Sequence, residues 1–313
     1  MQSRETDRPA LPRTLGWGIG LAASTAVISG IAVYVNAIGV KQVPDAALYT
    51  TLKNGVAAVL LIGILLATPR ARAAVPRLSG RQWLGLGAIG VLGGSIPFLL
   101  FFTGLSMASA PSAAFIHKTL FIWVALLAVP LLAERLGWTQ IVALAALLGS
   151  QILIRPPTGV TWGGGETLIA LATLLWACEV IVARRLLRSI PSSVGAAGRM
   201  GIGFVVLVGY LVVTGRAGMI AQLSAVQWAW ALMTGLLLAG YVATWYAALR
   251  RAPATVVTAV LVAAAPITAT LSAFESGSLP GGAPMGGYLL ALAAVAVLAW
   301  AAWRGRRPDA LTA

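Results

Sequence analysis

"KNGVAAVLLIG" at residues 53–63 and "RMGIGFVVLVG" at residues 199–209 are one pattern written twice, 146 positions apart. Lys53 meets Arg199, Gly55 meets Gly201 and Gly63 meets Gly209. In both copies a basic residue heads a stretch with the character of a buried membrane helix. Further pairs follow: "FFTGL" (101–105) meets "WYAAL" (245–249), and Pro111 with Glu134 meets Pro253 with Glu275 at offsets of 142 and 141. Self-similarity over nearly half a chain predicts two copies of one structural unit.

Of the 313 residues, 59% are apolar and only 10% charged, with 35 glycines, which points to a multi-span membrane protein. A helix needs roughly 20 mostly apolar residues to cross the hydrocarbon. That measure yields ten spans, at 15–37, 46–68, 83–105, 110–132, 138–155, 164–183, 194–214, 227–249, 254–274 and 285–303. The expected organisation is a tail at 1–14, a first five-helix repeat at 15–156, a second at 157–303 and a tail at 304–313. The fold class is an all-α integral membrane protein.

The net charge of +14 would suggest nucleic acid in a soluble chain. Here the basic residues cluster in short links between spans, the pattern of loops facing anionic lipid, and nucleic acid is not an expected partner. With the N-terminus inside, Arg4, Arg8, Arg13, the 70–81 and 184–188 clusters, Arg135, Arg250, Arg251, Arg304, Arg306 and Arg307 face the cytoplasm. Lys41, Arg155 and Arg216 face out. Both termini are therefore expected in the cytoplasm. Five spans is an odd number, so the second repeat enters the membrane from the opposite side, and Glu134 and Glu275 close their spans on opposite faces. Inverted repeats support two near-equivalent conformations with access switched across a site between them.

Other functions lack their chemistry. Cys178 is the sole cysteine and His117 the sole histidine, which leaves no disulfide and no metal cluster. There is no HExxH, no membrane-embedded Asp pair, no Ser-His dyad and no phosphate loop, so neither an enzyme nor a cofactor is expected. A carrier of this composition would run on substrate or ion gradients.

Taken together, these features resemble the drug/metabolite transporter superfamily, in its ten-span bacterial branch with two EamA-like repeats. The resemblance rests on Lys53 and Arg199, "FFTGL" and "WYAAL", "SAPSAAF" and "RAPATVV", Pro266, and "LAERLG" with "AFESG", and covers about 15 to 303. Span four departs from the pattern: residues near Ile122 and Trp123 stand where the mid-span proline is expected, and His117 and Lys118 replace small or apolar residues. In overall look the chain is most similar to YddG-type exporters of aromatic and other amino acids. That resemblance implies a multi-pass protein of a bacterial inner membrane. It would export small metabolites, amino acids or small aromatic compounds, with lipid around it, with protons as a candidate coupling ion, and as a monomer or weak homo-oligomer. A carrier of uncharged or cationic aromatic compounds is the alternative, and a membrane scaffold a further one.

An ammonium in mid-span costs about 2.5 to 3.5 kcal/mol, so Lys118 must face a wet cavity, pair, or snorkel. His117 lies about 100° around the helix from it, and is read either as a packing residue or as part of the site. Lys53 and Arg199 are either braces or gate residues that change partners. Glu179 can pair with Arg199, couple protons, or reach Arg184 or Arg185. Tyr34, Asn36, Phe98, Phe102, Trp176, Tyr241 and Trp245 lie deep in their spans. Phe98 with Phe102 and Tyr241 with Trp245 share helix faces at i,i+4, and the whole set is expected either to line a substrate site or to pack between helices. Trp17, Trp83, Trp138, Trp162, Trp228 and Trp303 fall near span ends as an interfacial belt. Gly16, Gly20, Gly87, Gly90, Gly94, Gly235 and Gly240 are expected to let helices approach. Pro97 and Pro266 are expected to interrupt spans three and nine.

Overall fold

The computed structural model of the protein describes residues 12–108, 110–154 and 162–304. Arg155, the link up to residue 161, and most of both expected tails lie outside them. The regular structure of the described residues is helical: α1 Pro12–Gly39, α2 Ala46–Ala67, α3 Pro69–Ala74, α4 Gly80–Gly94, α5 Ile96–Met107, α6 Ala110–Lys118, α7 Leu120–Leu132, α8 Trp138–Ile154, α9 Gly164–Leu186, α10 Ser192–Val213, α11 Ala225–Arg251, α12 Ala254–Val260, α13 Ala264–Ser276 and α14 Gly282–Arg304. Among the described residues nine helical segments are long and apolar enough to cross a membrane. The shorter α8, with 17 residues, falls where span five was expected. Spans three, four and nine are each made of two helices, α4 with α5, α6 with α7, and α12 with α13.

Each break has a local cause. Pro97 has no N–H for the carbonyl of Gly93, and the Phe98 amide turns to Ser95 at 3.0 Å, which releases Gly94 as well. No water reaches the hydrocarbon to satisfy such groups. Instead Arg199 Nη2 (2.9 Å) and Trp176 Nε1 (3.2 Å) donate to the Gly93 carbonyl, and Asn54 Nδ2 (3.1 Å) donates to Gly94. Span nine passes through a short 3₁₀ turn, Leu261–Ala263, just before Pro266. Span four breaks too, although it lacks the proline. The Thr119 hydroxyl donates to the Ile116 carbonyl at 2.7 Å and accepts from Trp123 Nε1 at 3.1 Å, a side chain competing with the helix for its own backbone.

Most packing runs between the halves. The pairs α2 with α10 and α8 with α14 join matching spans. The pair α1 with α11 has its counterpart in α9 with α5, and α2 with α11 in α10 with α4. Contacts of α12 and α13 with α1 repeat those of α6 and α7 with α9. Every major contact thus recurs with the halves exchanged.

The crossings themselves are copied. A Cβ on Gly90 would lie 2.6 Å from Ile202 Cβ, and one on Gly235 would lie 2.5 Å from Val56 Cβ. Gly90 and Gly235 are 145 positions apart, and Val56 and Ile202 are 146 apart. Gly94 is closer still, with a Cβ at 2.3 Å from the Arg199 carbonyl oxygen. The expectation fails for Gly16, Gly20 and Gly87, which have nothing within 4 Å, and Gly240 meets only an ordinary contact with Ile28. A side chain at Gly16, Gly20 or Gly87 would meet open space rather than a neighbouring helix.

Capping is duplicated as well. Ser79 with Gln82 and Ser224 with Gln227 form capping boxes at the starts of α4 and α11. Gln82 Nε2 reaches Ser189 Oγ at 3.1 Å and Gln227 Nε2 reaches the Gln42 carbonyl at 3.0 Å, so each cap is tied to a link in the other half. The six span-end tryptophans are all exposed on the surface of the bundle.

Candidate functional site

A cavity of about 620 Å³ lies between spans one, four, five, nine and ten. Its polar wall comes from Lys118 and His117 at the end of α6, Gln151 of α8, Thr258 of α12, and Thr268 and Ser272 of α13. Phe115, Phe121, Leu261 and Val262 supply apolar wall, and Ser29 and Val33 of α1 close one side. The lining continues to Ser278–Pro280, the link that follows Glu275, so the cavity extends to the Glu275 face of the bundle. His117 and Lys118 both border it, although about 100° separates neighbouring residues on a helix; the cavity wraps the end of α6, where the span breaks.

The opposite face is fastened. The Glu134 carboxylate accepts from the amides of Ala254 (2.6 Å) and Thr255 (3.1 Å) and from the Thr255 hydroxyl (2.8 Å), joining the end of span four to the start of span nine. Arg185 and Arg188 donate to the Leu131 and Leu132 carbonyls at 2.5 and 3.4 Å, and Arg184 donates to the Leu249 carbonyl. Arginines at the end of span six thus hold the ends of spans four and eight through carbonyls that a helix leaves unsatisfied.

Two buried braces flank this arrangement. In the second half Arg199 Nε lies 3.5 Å from Glu179 Oε1, an ion contact too long for a strong hydrogen bond, with the two side chains 6% and 2% exposed. The Tyr246 hydroxyl donates to the same carboxylate oxygen. In the first half Lys53 Nζ donates to Asn36 Oδ1 at 3.2 Å, and the Tyr49 hydroxyl donates to the same oxygen at 2.8 Å. Lys53 Nζ also lies 4.9, 5.4 and 5.6 Å from the ring centroids of Phe102, Tyr49 and Phe98, within cation–π range.

The structure therefore divides the predicted site residues. Lys118 and His117 border the cavity. Lys53, Asn36, Phe98 and Phe102 belong to the first brace, and Arg199 and Glu179 to the second. Trp176 is buried against the rings of Phe98 (5.3 Å), Phe101 (5.6 Å) and His117 (4.9 Å), which links the span-three break to the cavity wall. His117 Nδ1 is buried with no hydrogen-bond partner among the described residues. Tyr241 and Trp245 stack on each other at 5.8 Å, with Trp245 buried. Tyr34 is half-buried on α1 and is not part of the cavity lining. None of Phe98, Phe102, Trp176, Tyr241 and Trp245 is part of the cavity lining.

The sequence profile of the EamA-like transporter family matches the chain twice, over residues 16–155 and 163–300. The chain belongs to the EamA-like transporter family. It is a multi-pass membrane transporter of small molecules. A solved crystal structure superposes on this EamA-like chain with a TM-score of 0.73 at 18% identity, covering 93% of this chain and 99% of that one, and so shares its fold. No curated protein matches the sequence. Among the cavity residues of this EamA-like transporter, Gln151, Thr258, Thr268 and Ser272 were not singled out from sequence. The signal was present in part: Thr268 and Ser272 stand at i,i+4 on span nine and so share a face.

Proposed function

We propose that this protein exports amino acids, aromatic ones among them, across a bacterial inner membrane by alternating access, with the substrate carboxylate held by Lys118. One observation carries the reading: Lys118, well inside span four, borders a cavity of about 620 Å³ where spans of both halves meet. That size lies within the range of about 300–1,000 Å³ typical of small-molecule sites. Gln151, Thr268 and Ser272 offer partners to a small polar head, and Phe115, Phe121 and Leu261 offer apolar surface to a side chain. The excess of arginine on the Glu134 face supports a cytoplasmic assignment for that face. The state described is then open to the outside and closed to the cytoplasm. Glu179, engaged by Arg199 and Tyr246, acts as a brace in this scheme rather than as a proton carrier.

The test is binding and counterflow in proteoliposomes with amino acids and their amides. Lys118→Met should weaken carboxylate substrates about tenfold more than the matching amides, as expected for a lost hydrogen bond to a charged group. An equal loss for both would remove the carboxylate pose. Preferential transport of cationic or uncharged aromatic compounds by the unaltered protein would replace the proposal with drug efflux.

A further inference from the structure

We infer that Glu275 is a gate residue: in the alternate conformation it clamps the start of span four, as Glu134 clamps the start of span nine in the conformation described here. The inference rests on the alternating-access reading above, but on no particular substrate.

The made clamp shows the chemistry. Glu134 ends span four, and its carboxylate takes two backbone amides and one hydroxyl at the start of α12, just after Pro253. A carboxylate there meets free helix amides and the positive end of the helix dipole, and the cavity is absent from that face.

The matching parts exist on the other face. Glu275 ends span nine, and span four begins with Ala110, Pro111 and Ser112, the counterpart of Ala252, Pro253 and Ala254. Span four breaks at Thr119 and span nine at Leu261–Ala263, so each carries a separate end segment. There the clamp is open: Glu275 is exposed, and the cavity reaches the surface beside it. One acid is engaged where the molecule is shut, and its equivalent is disengaged where it is open. The two-fold arrangement of helix contacts turns that asymmetry into a cycle. Closing the Glu275 face would bring the ends of spans nine and four together as spans four and nine meet on the Glu134 face, and opening the Glu134 face would free Glu134.

The experiment reads the minor, Glu134-face-open population without any substrate. In a Cys178→Ser background, Val257→Cys is placed on α12 behind the Glu134 clamp, where Val257 is fully buried. An impermeant thiol reagent is then applied to that face in oriented vesicles of the full chain. Labelling of a transiently opened site follows the open population. Glu134→Gln should speed labelling about tenfold, and Glu275→Gln should slow it about tenfold, as expected for lost hydrogen bonds to a carboxylate. Because Glu275 is exposed in the state described, Glu275→Gln folds independently of the outcome, and it decides the matter if Glu134→Gln does not. Unchanged Val257 labelling in folded Glu275→Gln protein would overturn the inference. Loss of amino-acid transport specificity would leave it standing.

Discussion

The two halves of this transporter agree in their crossings and differ in their braces. Gly90 on Ile202 and Gly235 on Val56 are the same contact made twice, as are the Ser79–Gln82 and Ser224–Gln227 caps. The buried bases are not handled alike: Arg199 faces a carboxylate, whereas Lys53 faces an amide and three aromatic rings. Helix approach is governed by backbone shape, which the two-fold arrangement of contacts copies. A brace is local, and each half accommodates its cation in its own way.

Substitutions test this difference between the halves, and the largest effect belongs to the ionic brace. Glu179→Gln leaves the Arg199 guanidinium buried without a counter-charge and should cost about 3–5 kcal/mol, seen as a drop in thermal stability in detergent. A loss equal to that of Lys53→Met would show that the two braces are equivalent after all.

Next come the copied crossings. Gly90→Ala and Gly235→Ala should each cost about 1–3 kcal/mol by overpacking, and by similar amounts, while Gly87→Ala, with nothing within 4 Å, should be neutral or mildly stabilising. Unequal losses at Gly90 and Gly235, read in the same melts, would mean that the crossings are copies in shape only. The smallest effect falls on the first-half brace. Lys53→Met removes one hydrogen bond and the ring contacts but leaves Tyr49 on Asn36, and should cost about 1 kcal/mol.

The spans, the repeat and the family were legible because each is carried by residue types at a spacing, apolar runs for the spans and matched Lys53 and Arg199 for the repeat. The span-four break was not, since Thr119 ends a helix through hydroxyl geometry rather than through a missing N–H. How the deep aromatic residues divide between packing and cavity was not legible for a related reason. Phe98, Trp176 and Trp245 lie in spans with apolar residues on more than one side, so hydrophobicity alone does not show which side meets a neighbour and which a cavity. Asn36 was marked as a deep polar residue, but its partners Lys53 and Tyr49 lie on another span, at a separation that follows no helix period. The acid Glu134 was legible as a span end and illegible as a clamp, because the amides it holds are backbone.

The way contacts are shared between the halves bears on how the chain is made. Lys53 and Asn36 both leave the ribosome in the first half, and Arg199 follows Glu179 within the second, so each cation enters the bilayer with its own escort already synthesised. Helix neighbours are the reverse: α1 waits for α11, α5 for α9, and Glu134 for the start of α12. During synthesis Lys53 therefore has its amide partner before the second half exists, while the helices that α1 and α5 pack against in the finished bundle are still to come.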